Sequence, residues 1–167
     1  NWYTEAYTFA HSLTGKLNHA QICGIISVLS PQCTWNQNKV FASQFVKTGR
    51  VKSSRERINK CKRIAKETDE DKIYNLIGIK ANKTKRFYLN ILNPVLSSPV
   101  TIDRHAIAAC LQASNNTEAI ENHMGQLTDF QYEFFSSCYI TAASVKGINP
   151  NQMQAIVWTV YRRLRGL

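Results

Sequence analysis

The sequence predicts an all-α protein. Apolar residues recur at helical spacing along almost the whole chain, extended candidates are too few and too short to build a sheet, and Gly and Pro fall between the periodic segments rather than inside them. The 167 residues, 44% of them apolar, suit one domain, or two lobes, with a core of useful size.

The elements follow in order. "TEAYTFAHSL" reads as a first helix and "NHAQICGIISVLS" as a second, stopped at Pro31. "WNQNKVFASQFVK" is a third, with Val40, Phe41, Phe45 and Val46 expected on one inward face and Gly49 at its end. A basic helix runs from about Ser53 to Lys66, capped by Ser53 or Ser54, with Ile58, Cys61 and Ile64 or Ala65 facing in. "TDEDKIYNLI" places Thr68 or Asp69 at an N-cap and acids in the first turn, where the helix dipole favours them.

Gly78 interrupts, and "NKTKRFYLNIL" resumes as helix until Asn93-Pro94. "VTIDRHAIAACL" enters another helix from an extended segment, with Thr101 or Asp103 as cap. After a polar region, Ser114 to Gly125, come two strong helices. Thr128 caps "DFQYEFFSSCYITAASVK" and Gly147 ends it; the last helix has Pro150 in its first turn and Met153, Ile156, Val157, Val160, Tyr161 and Leu164 as one expected stripe.

Charge narrows the function. Twenty-one Lys and Arg against 11 acids give a formal +10 and a pI near 9.6. From Lys47 to Lys66 there are nine basic residues and one acid, Glu56; Lys80, Lys83, Lys85 and Arg86 form a second cluster, and Arg162, Arg163 and Arg165 a third. Clustered positive charge favours a polyanionic partner through counterion release, so DNA is the expected partner. No apolar run reaches the roughly 18 to 20 residues of a membrane span, and no charged-then-apolar leader is seen, so the expectation is no membrane partner and a cytoplasmic location. The five cysteines, Cys23, Cys33, Cys61, Cys110 and Cys138, form no C-x-x-C pair and read as reduced thiols rather than zinc or cluster ligands.

One constellation carries more. In "YNLIGIKANKTKRFYLN", Tyr74 to Asn90, a helix ends in a short Gly-containing turn and a Lys-rich helix begins. Such a turn can hold a DNA phosphate on backbone N–H groups at a helix N-terminus without reading sequence. Upstream lies "ISVLSPQCTWNQNKVFA", and downstream Asp103 opens its helix. These three blocks, in this order, resemble the helix-hairpin-helix (HhH-GPD) DNA glycosylase superfamily, especially its endonuclease III-like branch. The matching positions are Leu29, Ser30, Gln32, Asn38 and Lys39, then "LIGIKANKT", then "IDRH", and together they span Ile25 to Leu111, about half the chain.

The resemblance implies a two-lobed helical fold with a cleft, and excision of a modified or damaged base from DNA by a monomer. It implies that Asp103 is the essential carboxylate, that Lys83 matches the lysine that makes some members abasic-site lyases, and that Gln32 faces the gap left by an everted base. Gly78, Lys80, Asn82, Lys85 and Arg86 are the further hairpin residues expected to contact DNA. The sequence departs from the pattern in three ways: Ile77 stands where proline is usual, the turn has one extra residue, and it lacks a second glycine. Asn82 is expected to take the left-handed conformation instead. A shifted alignment would make Lys80 or Lys85 the matching lysine. The four-cysteine iron–sulfur loop is missing, so no cofactor is expected beyond a monovalent cation at the hairpin. A compact phage or bacterial member fits the size.

The chemistry explains these residue types. Breaking an N-glycosidic bond develops positive charge on the sugar, which an ionised carboxylate stabilises. Water as nucleophile gives base removal alone; a neutral lysine gives a Schiff base and then strand scission. The base must first leave the stack and enter a pocket, for which Trp35, Asn36, His105, Tyr139 and Trp158 are candidates. Two alternatives stand beside this reading: a DNA-binding module of the same fold without catalysis, and a phage enzyme acting on hypermodified bases.

Overall fold

The computed structural model describes residues 2–79, 81–95, 99–111 and 127–166. Among the described residues there are nine helices and no strand. The all-α class expected from the sequence is what the chain adopts. Lys80 and the expected polar region Ser114 to Gly125 lie outside the described residues. The chain divides into two compact units, residues 4–94 and residues 1–3 with 95–167.

The first unit holds most of α1 (Trp2–Ser12), then α2 (His19–Leu29), α3 (Trp35–Thr48), α4 (Arg55–Ile64), α5 (Glu70–Ile77) and α6 (Asn82–Leu92). Helix α2 is its centre. Every residue from Ala20 to Leu29 is buried, because α3, α4, α5 and α6 all pack on it. A helix that is apolar on all sides can only be stable there. Its start is specified by a capping box: Asn18 Oδ1 accepts from the Gln21 amide at 2.8 Å, and Gln21 Oε1 accepts from the Asn18 amide at 2.7 Å. The buried Gln21 side chain then donates to Ala65 O at 3.0 Å, which ties the end of α4 to the start of α2. At Gly24, side chains of α4 and α5 close in on α2. A Cβ there would meet Ile73 Cγ2 at 2.8 Å and Ile64 Cγ2 at 3.0 Å.

Sequence periodicity misassigned one face in this unit. Helix α3 buries Asn38, Ala42 and Phe45, while Val40 is exposed. Val40 and Ala42 lie about 200° apart on a helix, so both cannot face one partner. The small Ala42, not the β-branched Val40, is buried on α3, which packs on α2.

The second unit holds α7 (Arg104–Cys110), α8 (Asp129–Lys146) and α9 (Pro150–Leu164). Its core is Val100, Ile102, Ala106, Ile107, Tyr132 and Tyr139, with Cys110, Leu127, Phe135, Met153 and Val157 packed against it. Both buried phenols serve backbone. Tyr132 OH donates to Val100 O and accepts from the Ile102 amide, each at 3.0 Å; Tyr139 OH donates to Ala106 O at 2.7 Å. These bonds hold the extended segment 100–102 against α8 and so aim the chain into α7 with Asp103 as its cap. The stripe expected on α9 is divided: Met153 and Val157 pack inward, whereas Ile156, Val160 and Leu164 are exposed. Asn151, Gln154 and Ala155 are the buried positions instead, with Gln154 Oε1 accepting from Tyr3 OH at 2.8 Å. A polar side chain is buried at no large cost when a distant segment supplies its partner.

Candidate functional site

In the first unit, α4 touches both the Gln32 segment and the hairpin. Residues 30–33 form a β-turn closed by the Cys33 amide on Ser30 O at 3.4 Å, with Pro31 second and Gln32 third. Gln32 has φ 65°, the one positive φ outside glycine among the described residues. The third position of a type II turn demands that conformation and normally takes Gly or Asn. An exposed glutamine held there stores roughly 1–2 kcal/mol of strain. Arg57 of α4 secures the turn, its Nη1 donating to Pro31 O at 3.0 Å. Burial pushes the Cys33 thiol up, while the nearby charges of Arg57 and Lys83 pull it the other way. The Arg57 bond ties the Gln32 turn to α4.

The hairpin connects α5 to α6. Gly78 has φ 127° and ψ 147°, a region open essentially to glycine alone, so this single glycine makes the reversal. The position its Cβ would take lies 3.4 Å from Lys60 Nζ, contributed by α4. The Ala81 amide donates to Gly78 O at 3.3 Å, and Ala81 is the N-cap of α6 with no side-chain acceptor to offer. Asn82 is the first residue of that helix rather than a left-handed one. Among the described residues of the turn, Gly78 alone has a positive φ. Lys83 is exposed in the first turn of α6; Lys85 lies over the Tyr74 ring, its Nζ 4.4 Å from the centroid. Arg86 is half-buried.

The second unit assembles a separate group around Asp103. This residue is the N-cap of α7, where Oδ1 accepts from the Ala106 amide at 2.9 Å. Oδ2 accepts from Trp158 Nε1 of α9 at 3.0 Å. Arg162, one turn along α9, covers the Trp158 ring at 4.7 Å. The His105 ring lies 6.3 Å from Trp158 and 6.2 Å from Tyr161. Asp103, His105 and Trp158, three residues singled out in the sequence, are therefore neighbours, and the tryptophan holds the carboxylate in place.

This chain belongs to DUF7178, a family of unknown function whose model matches residues 1–165. No curated protein and no solved structure matches it. For this DUF7178 member, the geometry is the guide to chemistry.

The remaining candidates are accounted for locally. Tyr139 is buried in the core, and burial together with the neighbouring Cys110 pushes its phenol far up, so it packs α8 on α7 rather than lining an open pocket. Trp35 meets Phe9 edge-on at 5.7 Å and carries Lys39 Nζ 5.8 Å above its ring. Asn36 is exposed in the first turn of α3. Among the described residues, no three His, Cys, Asp or Glu side chains gather in a way that could hold a metal ion, and no helix is long and apolar enough to cross a membrane. At the hairpin, where the resemblance implies a monovalent cation, Gly78 O accepts the Ala81 amide and the Lys60 ammonium lies beside Gly78. Arg57, Lys60 and Arg162 stood in the sequence only as members of basic clusters, with no place in the site. The available signal was Arg57 and Lys60, three apart at the edge of the buried face of α4.

Proposed function

We propose that the protein is a DNA glycosylase of the helix-hairpin-helix kind, removing a modified or damaged base, with Asp103 as its carboxylate and Lys83 as the candidate Schiff-base nucleophile. The supporting observation is that α4 touches both segments: Arg57 holds the Gln32 turn at Pro31 O, 3.0 Å away, and Lys60, three residues on, lies beside Gly78 of the hairpin. In this reading the strained turn presents Gln32 to the gap in an opened duplex, and the hairpin holds the strand by its phosphates. Asp103, fixed by Ala106 and Trp158, supplies the negative charge that steadies the sugar as the bond breaks.

Borohydride trapping on DNA with an abasic site tests the lysine. A covalent adduct that is lost in Lys83→Ala and kept in Lys85→Ala supports a lyase; the reverse pattern moves the role to Lys85. A second reading has a specific observation in its favour. Both oxygens of Asp103 already accept N–H donors, as expected of a structural cap in a module that only binds DNA. That module gives salt-dependent binding with neither adduct nor base release.

A further inference from the structure

We propose that Lys60 of α4 is the hairpin's own cation, supplying beside Gly78 the positive charge for which the resemblance implies a bound monovalent ion, and that Glu56 restrains it until a backbone phosphate takes its place. This rests on the DNA-binding reading above and adds a second phosphate-contacting element to it.

Four observations carry the inference. Lys60 Nζ lies 3.4 Å from the position of a Cβ on Gly78, so the ammonium stands against the turn where a phosphate would approach the hairpin. The same Nζ is paired to Glu56 Oε1 at 3.0 Å, across one turn of α4. Glu56 is the lone acid among the nine basic residues from Lys47 to Lys66, and its partner is the lysine beside the hairpin. The pair is asymmetric in exposure: the Glu56 side chain is 77% exposed and the Lys60 side chain 30%. Lys60 is therefore backed by protein while its acid is free to swing into water, the arrangement of a displaceable counter-charge.

Helix α4 spans both DNA-facing turns. Arg57 reaches Pro31 O beside Gln32, and Lys60, three residues on, reaches Gly78. Residues three apart share a helix face, so one face of α4 serves both turns. Lys62 lies about 200° around the helix from Lys60 and is exposed, which makes it the matched control for diffuse charge.

The experiment is binding of a 20-base-pair duplex followed by fluorescence anisotropy across a salt series, in potassium chloride and in tetramethylammonium chloride. Wild type is expected to bind equally in the two salts at equal ionic strength. Lys60→Ala should lose about tenfold near 0.1 M salt, with a salt slope smaller by roughly one, as for one lost phosphate contact. Glu56→Gln, which alters only an exposed side chain, should bind about two- to fivefold tighter, the range released by an exposed ion pair. Lys62→Ala should lose clearly less than Lys60→Ala. Equal losses at Lys60 and Lys62, an unchanged Glu56→Gln, or a requirement for potassium would each overturn the proposal while leaving DNA binding intact. A wild-type protein with no salt-dependent duplex binding would instead refute the DNA reading on which it rests.

Discussion

Trp158 is placed to hold Asp103, and Trp158→Phe measures how much that matters. The substitution keeps an aromatic ring against His105 and Arg162 but removes the Nε1–H that donates to Asp103 Oδ2 at 3.0 Å. A hydrogen bond to a charged group contributes about 1.5–3 kcal/mol. Asp103 and Trp158 are both only half-buried, so water replaces part of the lost bond and the loss falls to about 1–2 kcal/mol. In a chain of this size that corresponds to a melting-temperature loss of roughly 2–8 °C. The bond itself is isolated by a double-mutant cycle with Asp103→Asn. Asparagine caps a helix as well as aspartate does, so the Ala106 bond can be kept while the second oxygen becomes an NH2 facing the tryptophan N–H. Each single variant then removes the same interaction, and urea unfolding should show the double variant about 1 kcal/mol more stable than the sum of the two losses predicts. Additivity within about 0.3–0.5 kcal/mol would show that the pair does not couple and that Trp158 does not position the carboxylate.

Two further outcomes follow from strain and burial. Gln32→Gly relieves a positive φ but adds freedom to the unfolded chain, so stability in urea should hold or rise by up to about 1 kcal/mol, while affinity for an abasic duplex falls; a loss above about 1 kcal/mol would mean that the turn is not strained. His19 is held below its ordinary 6.5 by burial and by His11; its Nε2 meets the Cys23 Sγ at 3.4 Å and its Nδ1 is buried without a partner among the described residues. Because its folded value is depressed, the unfolded chain binds the proton more readily, so stability is full above about 6.5 and declines as pH falls below it. Urea midpoints measured from pH 7.5 to 5 should fall in wild type more than in His19→Gln, and parallel curves would contradict the assignment.

Much of the local structure was legible because caps are local chemistry. Thr128 and Gly147 bound α8, and Asn82 to Leu92 is the helix read from "NKTKRFYLNIL". Asp103 rather than Thr101 caps α7, because only its side chain reaches the Ala106 amide. What a helix face meets was less legible. Val40 and Ile156 have the right spacing for a core but are exposed, whereas Gln154 is buried because Tyr3, 151 residues away, supplies its partner. The candidate site divides in the same way. Asp103 and Lys83 were readable as residue types in a motif order, but the Trp158 bond and the Lys60–Gly78 approach join segments distant in sequence. No periodicity encodes such contacts.

The central claim is that Asp103 serves bond cleavage and not only the helix it caps. Base release from a panel of duplexes, each carrying one damaged or modified base, tests it most directly when wild type and Asp103→Asn are compared alongside binding to the same duplexes. The account predicts release from at least one duplex by wild type and its collapse in Asp103→Asn, with binding retained. Release that survives in Asp103→Asn would contradict the assignment of the carboxylate, and binding without release from any duplex by wild type would leave the module that only binds DNA.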